Sequence, residues 1–160
     1  MNNLKCVVFY KATDILSQWY RCSFCDKDGV VYNSAEQYMM AQKALLFNDD
    51  IYSEIMVEED MQSIKNLGKK VKNFQQIIWD EKKEDVVYDA NYLKFSQNES
   101  LKEYLLSTCR DTIIEANPND IIWATGLCST DKNLCNPSKW RGENLLGLIL
   151  EKVRDELRLV

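Results

Sequence analysis

The stretch Ser34-Ala35-Glu36-Gln37-Tyr38-Met39-Met40-Ala41-Gln42-Lys43-Ala44 predicts an α-helix that lines the functional site of this protein. Ser34, followed three residues later by Gln37, is the capping-box pattern that marks a helix N-terminus. The helix is expected to continue to about Phe47 and to end in the polar segment 48–50.

Two charged side chains, Glu36 and Lys43, fall on one stripe of this helix together with Met40 and Phe47, because successive residues are about 100° apart. They are two turns apart, about 10 Å along the helix axis. A simple surface ion pair would need a spacing of three or four residues. The spacing indicates two groups that flank a ligand lying across the helix, and the alternative is a solvated charged face.

The rest of the chain predicts mainly helices and a few short strands. Five glycines and two prolines in 160 residues argue against a turn-rich β architecture. Strands are predicted at Cys6–Tyr10 and Gly29–Tyr32, and helices at Met61–Leu67 (ending at Gly68), about Phe74–Phe95, around Leu101–Leu105, and after Asn144, which caps the last one. The predicted fold class is α+β, mainly α-helical, in one domain over residues 1–160.

The absence of histidine decides which chemistry is open to the chain. Ser-His-Asp and Cys-His catalysis are excluded, and so are histidine-based metal sites. Acid–base work must therefore use Asp, Glu, Lys, Tyr or Cys. A net charge of -5 argues against non-specific nucleic-acid binding. The alternative is a local basic pocket that binds a particular nucleic-acid group.

The N-terminal residues Met1 to Cys6 lack the apolar core and cleavage site of a signal peptide, and no apolar run is long enough to span a bilayer. We therefore expect a cytoplasmic protein without membrane contact, whose six cysteines are free thiols. Cys22 and Cys25 form a C-x-x-C pair, but Cys128 and Cys135 are too far apart for an ordinary four-cysteine zinc site. A zinc-bound interaction domain is the minor alternative, and we expect no metal.

The segment Asp120-Ile121-Ile122-Trp123-Ala124-Thr125-Gly126-Leu127 places an acid and an aromatic before a small-residue turn. A turn at Gly126 allows the backbone to approach a ligand closely. The alternative is a strand followed by an ordinary loop.

The segment Trp140-Arg141-Gly142-Glu143-Asn144 precedes the last helix. Free N–H groups at a helix N-terminus favour phosphate, and an indole can stack on a base. The segment is therefore a candidate nucleotide platform, and the alternative is a simple cap beside a packing Trp.

In this order the segments resemble the NADAR (YbiA-like) family over nearly the whole chain, from Val7 to Leu157. The resembling blocks are Gln18-Trp19-Tyr20, Ser34 to Met40 with Lys43-Ala44, Leu67-Gly68-Lys69, Trp79, Lys94 to Asn98, Leu105 to Thr108, Ile114 to Ala116 with Asp120 to Trp123, and Trp140 to Gly147 with Val153-Arg154. The chain departs from the family pattern at four positions, where Gln18, Lys69, Cys109 and Ala124 stand for the usual Asn, Arg, Gly and Gly.

The resemblance implies a YbiA-like fold and a hydrolase that cleaves an N-glycosidic bond of a ribose phosphate, and we expect it to use no cofactor. Family members are linked to NAD and ADP-ribose metabolism; some remove ADP-ribose from guanine bases of nucleic acid and others cleave phosphorylated riboflavin-pathway intermediates. The first activity is our prediction, with ADP-ribosylated DNA or RNA as a partner, and the second is the alternative. A non-catalytic ADP-ribose- or NAD-binding module is a further alternative.

The predicted catalytic residues are Glu36, Lys43 and Asp120. One of the two carboxylates would stabilise the charge of an oxocarbenium-like ribose or activate water, and the other would handle a proton. Lys43 would bind phosphate or form a Schiff base with the opened sugar. The predicted substrate-binding residues are Trp19, Tyr20, Met40, Lys69, Trp79, Lys94, Trp123, Gly126, Trp140 and Asn144.

Overall fold

The computed structural model describes residues 5–160, and the part of the signal-peptide prediction that falls on Met1 to Leu4 lies outside them. The described residues form six α-helices and four short strands. The helices are α1 (Ala35–Leu46), α2 (Tyr52–Val57), α3 (Met61–Lys69), α4 (Gln76–Ser96), α5 (Glu99–Ser107) and α6 (Leu145–Arg158); the strands are β1 (Cys6–Phe9), β2 (Phe24–Cys25), β3 (Val31–Tyr32) and β4 (Thr112–Glu115). The predicted α+β, mainly helical class is confirmed, while β2, β4 and α2 were not predicted.

The chain divides into two compact units, Gln18–Asn98 and Met1–Ser17 with Glu99–Val160. In the first, α1 packs against α2, α3, α4 and β3. Most of α1 is buried, including every residue from Ala35 to Ala41. A helix that is buried on most sides belongs to the core of its unit, so α1 is the element on which the neighbouring helices pack.

The cap predicted at Ser34 is present, with a variation. The Gln37 N–H donates to Ser34 Oγ at 3.0 Å, as in a capping box. The side-chain oxygen Oε1 of Gln37, however, accepts from the N–H of Asn33 at 2.8 Å, one residue before the cap. The Gln37 amide also donates to the Ile55 carbonyl of α2 at 3.0 Å, so the same side chain ends the turn and joins two helices.

Gly68 was expected to end a helix, and the structure corrects this. It lies inside α3, one residue before the helix ends at Lys69. A Cβ added at Gly68 would lie 2.0 Å from Met40 Sδ of α1. The glycine therefore lets α1 and α3 approach closely, which is a packing requirement that local sequence patterns do not report.

Replacing Gly68 by Ala should lower stability by about 1–2 kcal/mol. Overpacking against Met40 costs about 1–3 kcal/mol, and the better helix propensity of Ala returns up to about 1 kcal/mol. In a Met40→Ala background the clash is gone, so the same change should become neutral or stabilising. Urea unfolding of the four proteins measures this reversal of sign, and an equal cost in both backgrounds would contradict the Met40 contact.

In the other unit, β1 and β4 pair in parallel with Cys6 opposite Thr112, and α6 packs on β4. Ile113 and Ile114 of β4 and Leu150 and Val153 of α6 have no exposed surface. Burial of these apolar side chains between strand and helix makes the core of the unit.

Cysteine usage differs from the expectation of six free thiols. Cys6 and Cys135 form a disulfide, while Cys22, Cys25, Cys109 and Cys128 are free. The bond takes Cys135 out of the four-cysteine zinc site considered above. No group of three or more potential metal ligands occurs in residues 5–160, and none of the helices there is long and apolar enough to cross a bilayer.

Candidate active site

The stripe predicted on α1 carries a buried carboxylate. Glu36 has 7% of its surface exposed, which contradicts the alternative of a solvated charged face. Lys43, two turns along the same helix, is partly buried, and its pKa is set first by that burial and then by the negative charge of Glu36. The two groups therefore act on each other across one face of α1.

Burial is the largest influence on Lys43 and lowers its pKa from the ordinary value. The Glu36 carboxylate opposes this shift, and the positive charge of Lys69 on α3 reinforces it. The net pKa is lowered, a direction that the sequence alone left open. A lysine with a lowered pKa has more of its amine in the nucleophilic neutral form.

Aromatic rings surround the Lys43 ammonium. Its Nζ lies 4.6 Å from the ring centroid of Phe74 and 5.7 Å from that of Trp79. Phe74 also packs edge-on against Phe47 at 5.2 Å. Trp79 was predicted as a site residue, but Phe74 was not, because no spacing rule links it to α1. Trp79 has 6% of its surface exposed, so the ring that Lys43 contacts is buried.

The segment Gln18–Tyr20 runs beside the beginning of α1. The Gln18 carbonyl accepts the Glu36 N–H at 3.0 Å, which fixes this segment next to the catalytic candidate. The Lys65 Nζ of α3 lies 6.0 Å from the ring centroid of Trp19, and the Lys94 Nζ of α4 lies 5.5 Å from that of Tyr20. Lys65 is a further residue that the sequence did not single out.

Lys94, which was predicted to bind the substrate, has no exposed surface, and its contact with a substrate stays a prediction. Its Nζ lies over the rings of Tyr20 and Phe95. Burial lowers the pKa of Lys94 to about 8, and the nearby Cys22 thiol opposes that shift. Lys94 is therefore a residue that supports the Tyr20 ring from inside the unit.

The remaining predicted residues lie in the other unit. Asp120 Oδ1 accepts the N–H groups of Ile122 and Trp123, each at 2.9 Å. The carboxylate thus shapes a turn, and the alternative of a strand at 120–123 is wrong. Gly126 has a φ of 72°, which favours glycine, and a Cβ there would lie 2.9 Å from Arg141 Cβ. The space beside Gly126 is therefore filled by Arg141 and Gly142 and not left for a ligand.

The nucleotide platform expected at the start of α6 is not formed by free N–H groups. The N–H groups of Asn144, Leu145 and Leu146 donate to the carbonyls of Ala124, Ile122 and Trp123. The Asn144 side chain does not cap the helix; it donates to the Ile113 carbonyl at 2.9 Å and accepts from the Glu115 N–H at 3.0 Å. Asn144 is therefore a structural residue that ties α6 to β4.

Trp140 packs against the buried cluster of Ile114, Ala116, Leu127 and Leu134. Its indole N–H donates to the Leu134 carbonyl at 2.7 Å. The interpretation of Trp140 as a packing residue is favoured over that of a stacking platform.

The predicted site residues thus fall into two sets. Those in the unit Gln18–Asn98 are Trp19, Tyr20, Glu36, Met40, Lys43, Lys69, Trp79 and Lys94, and those in the other unit are Asp120, Trp123, Gly126, Trp140 and Asn144. In the first set, the charges of Glu36 and Lys69 both act on Lys43, which makes these three residues the centre of the candidate site.

A buried carboxylate on the same helix face as a lysine of lowered pKa is typical of an enzyme site, and sequence comparison gives the family of the chain. The NADAR domain matches residues 8–158, so the chain belongs to the NADAR family. N-glycosidase R617 of Acanthamoeba polyphaga mimivirus is 46% identical over 147 residues, covering 89% of this chain and 86% of that protein. This relationship makes the chain an enzyme of the N-glycosidase type.

Two further proteins are more distant. The riboflavin biosynthesis protein PYRR of Zea mays is 28% identical, over 94% of this chain and 25% of that protein. The NMR structure of the Escherichia coli protein YbiA superimposes with a TM-score of 0.79 at 24% identity, covering 99% of this chain and 88% of that chain. The last comparison confirms the predicted YbiA-like fold.

Proposed function

We propose that this N-glycosidase removes ADP-ribose from ADP-ribosylated guanine, in nucleic acid or in nucleotides. The observation that carries the catalytic part is the buried Glu36 carboxylate on the same face of α1 as Lys43, whose pKa is lowered. Breaking the C1′–N bond develops positive charge on the ribose, and a buried carboxylate stabilises that charge more strongly than an exposed one.

The choice of ADP-ribose rests on α3. Lys65 and Lys69 are one turn apart on this helix, about 6 Å along its axis. Lys65 lies by Trp19, and Lys69 acts on Lys43. Two cations one helical turn apart can each contact one phosphate of a diphosphate. Trp19 and Tyr20 supply rings for stacking on a base.

Lys43 is proposed as the nucleophile. Its amine lone pair bonds to C1′, and the C1′–N bond breaks with its electron pair and a proton going to the base. The ribose C1′–O4′ bond then opens, O4′ takes a proton, and C1′ is left as an imine of Lys43. Water hydrolyses the imine, which releases the sugar and restores the amine. In the alternative, Lys43 is only a cation and water attacks C1′ directly.

Asp120 is proposed separately as a second acid–base group, on the strength of the family resemblance. Its Oδ1 is occupied by two backbone N–H groups.

Cleavage of phosphorylated riboflavin-pathway intermediates is the second candidate, favoured by the similarity to PYRR. A direct assay separates the two: the protein is incubated with DNA carrying ADP-ribosylated guanine and with the riboflavin-pathway intermediates. Release of ADP-ribose from the first supports the proposal, and release of sugar phosphate only from the second replaces it. Binding of ADP-ribose without any turnover would instead support the alternative of a non-catalytic binding module.

The same turnover is expected to survive excess EDTA. The chain has no histidine, and residues 5–160 hold no group of potential ligands placed for a metal. Protein treated with EDTA and then dialysed should retain its full rate. Loss of the rate, with recovery on one divalent ion, would contradict the metal-free mechanism.

A further inference from the structure

A pair of side-chain amides, Gln18 and Asn91, joins the segment beside the start of α1 to α4. Gln18 contacts Glu36 through its backbone carbonyl, and its side chain reaches Asn91 on α4. Asn91 has no exposed surface and precedes Lys94 by one helical turn. One member of the pair is therefore bonded to the backbone of Glu36, and the other lies one turn before Lys94 on α4.

The hydrogen bonds of this pair fix which atom faces which way. Asn91 Nδ2 lies 2.8 Å from the Val87 carbonyl, which can only accept, so the nitrogen must be the atom placed there. Its second hydrogen points at Gln18, also at 2.8 Å, so the facing Gln18 atom must be the oxygen Oε1. Both amide orientations follow from these two contacts.

Two polar atoms of this pair make no hydrogen bond within residues 5–160. Gln18 Nε2, a donor, and Asn91 Oδ1, an acceptor, are buried and have no hydrogen-bond partner among the described residues. A buried polar group without a partner costs about 1–3 kcal/mol, so a protein that keeps two of them together needs a reason. A donor and an acceptor on two side chains that are bonded to each other match a group that both accepts and donates a hydrogen bond, as a hydroxyl does.

We propose that Gln18 and Asn91 form a binding subsite for a ribose hydroxyl, the one next to the reacting anomeric carbon. Its oxygen accepts from Gln18 Nε2, and its hydrogen is donated to Asn91 Oδ1. The inference rests on the proposed function, since the neighbouring Glu36 is taken to face the same sugar. Hydrogen bonds to this hydroxyl strengthen as the oxocarbenium-like transition state forms, so the pair acts on turnover as well as on binding.

The test compares a ribosyl substrate with its 2-deoxyribosyl analogue, in the wild type and in two variants of similar size, Gln18→Met and Asn91→Leu. Removing the hydroxyl changes the intrinsic reactivity of the sugar, so only the change from protein to protein is used. Both variants are expected to lose about 10- to 100-fold in kcat/KM on the ribosyl substrate and about threefold or less on the deoxy analogue. Gln62→Met is the matched control, because Gln62 donates to Asn66 in an exposed amide pair of the same kind.

Three results would overturn the subsite. An equal loss of kcat/KM on both substrates would show that the pair has a structural role. A loss that depends on which nucleobase is the leaving group would show that the pair binds the nucleobase. No loss on either substrate would show that an ordered water, and not the substrate, satisfies the two atoms. If the wild type turns over neither substrate, the proposed function fails first. Titration of isotope-labelled protein with ADP-ribose then decides the inference alone: the side-chain NH₂ signals of Gln18 and Asn91 shift if the subsite exists and stay unchanged if it does not.

Discussion

Lys43→Arg is expected to bind ADP-ribose and to lose turnover by about 1000-fold or more, because arginine keeps the positive charge but cannot form an imine. Borohydride added to the wild type during turnover should fix a sugar on Lys43, visible as a mass increase on its peptide. Lys82→Arg, at an exposed position of α4, is the control and should keep the full rate.

The pH dependence gives a second measure of the same group. Burial lowers the pKa of Lys43, so the fraction of neutral amine rises as the pH rises through that lowered value. The rate should therefore increase from neutral toward alkaline pH, on a limb that lies below the usual range of lysine. An active Lys43→Arg variant with no borohydride adduct would leave Lys43 as a phosphate-binding cation and water as the nucleophile.

Glu36→Gln is expected to lower turnover by about 100-fold or more while the protein stays folded and binds ADP-ribose. The change removes a buried negative charge but keeps the shape of the side chain. Because the Glu36 carboxylate raises the pKa of Lys43, its removal should also move the alkaline limb of the rate to lower pH. Kinetics over a pH series measures both effects at once.

Glu54→Gln, at an exposed position of α2, is the matched control and should match the wild type in rate and pH profile. Normal turnover by Glu36→Gln would show that the buried carboxylate is structural. Asp120→Asn makes the parallel comparison for the other carboxylate, because an amide oxygen can still accept the N–H groups of Ile122 and Trp123. A loss in that variant is therefore due to charge and not to the turn.

Some corrections share one cause. Asn144 has the residue type of a helix cap, and Gly68 that of a helix end. In the folded chain Asn144 bonds to the backbone of β4, and Gly68 makes room for Met40. Both roles depend on a partner far away in sequence, which a local pattern does not contain. Lys65 and Phe74 were not predicted for the same reason. Lys65 contacts the ring of Trp19, and Phe74 contacts the cation of Lys43, so each contact joins two separate segments of the chain.

The sequence by itself determined the helix from Ser34, the common face of Glu36 and Lys43, and the exclusion of histidine chemistry. These follow from backbone geometry and composition, which need only neighbouring residues. The tertiary structure alone decided that Glu36 is buried, that the pKa of Lys43 is lowered, and that Gln18 meets Asn91. Burial and charge coupling are set by the segments that pack around a group, and those segments are brought together only when the chain folds.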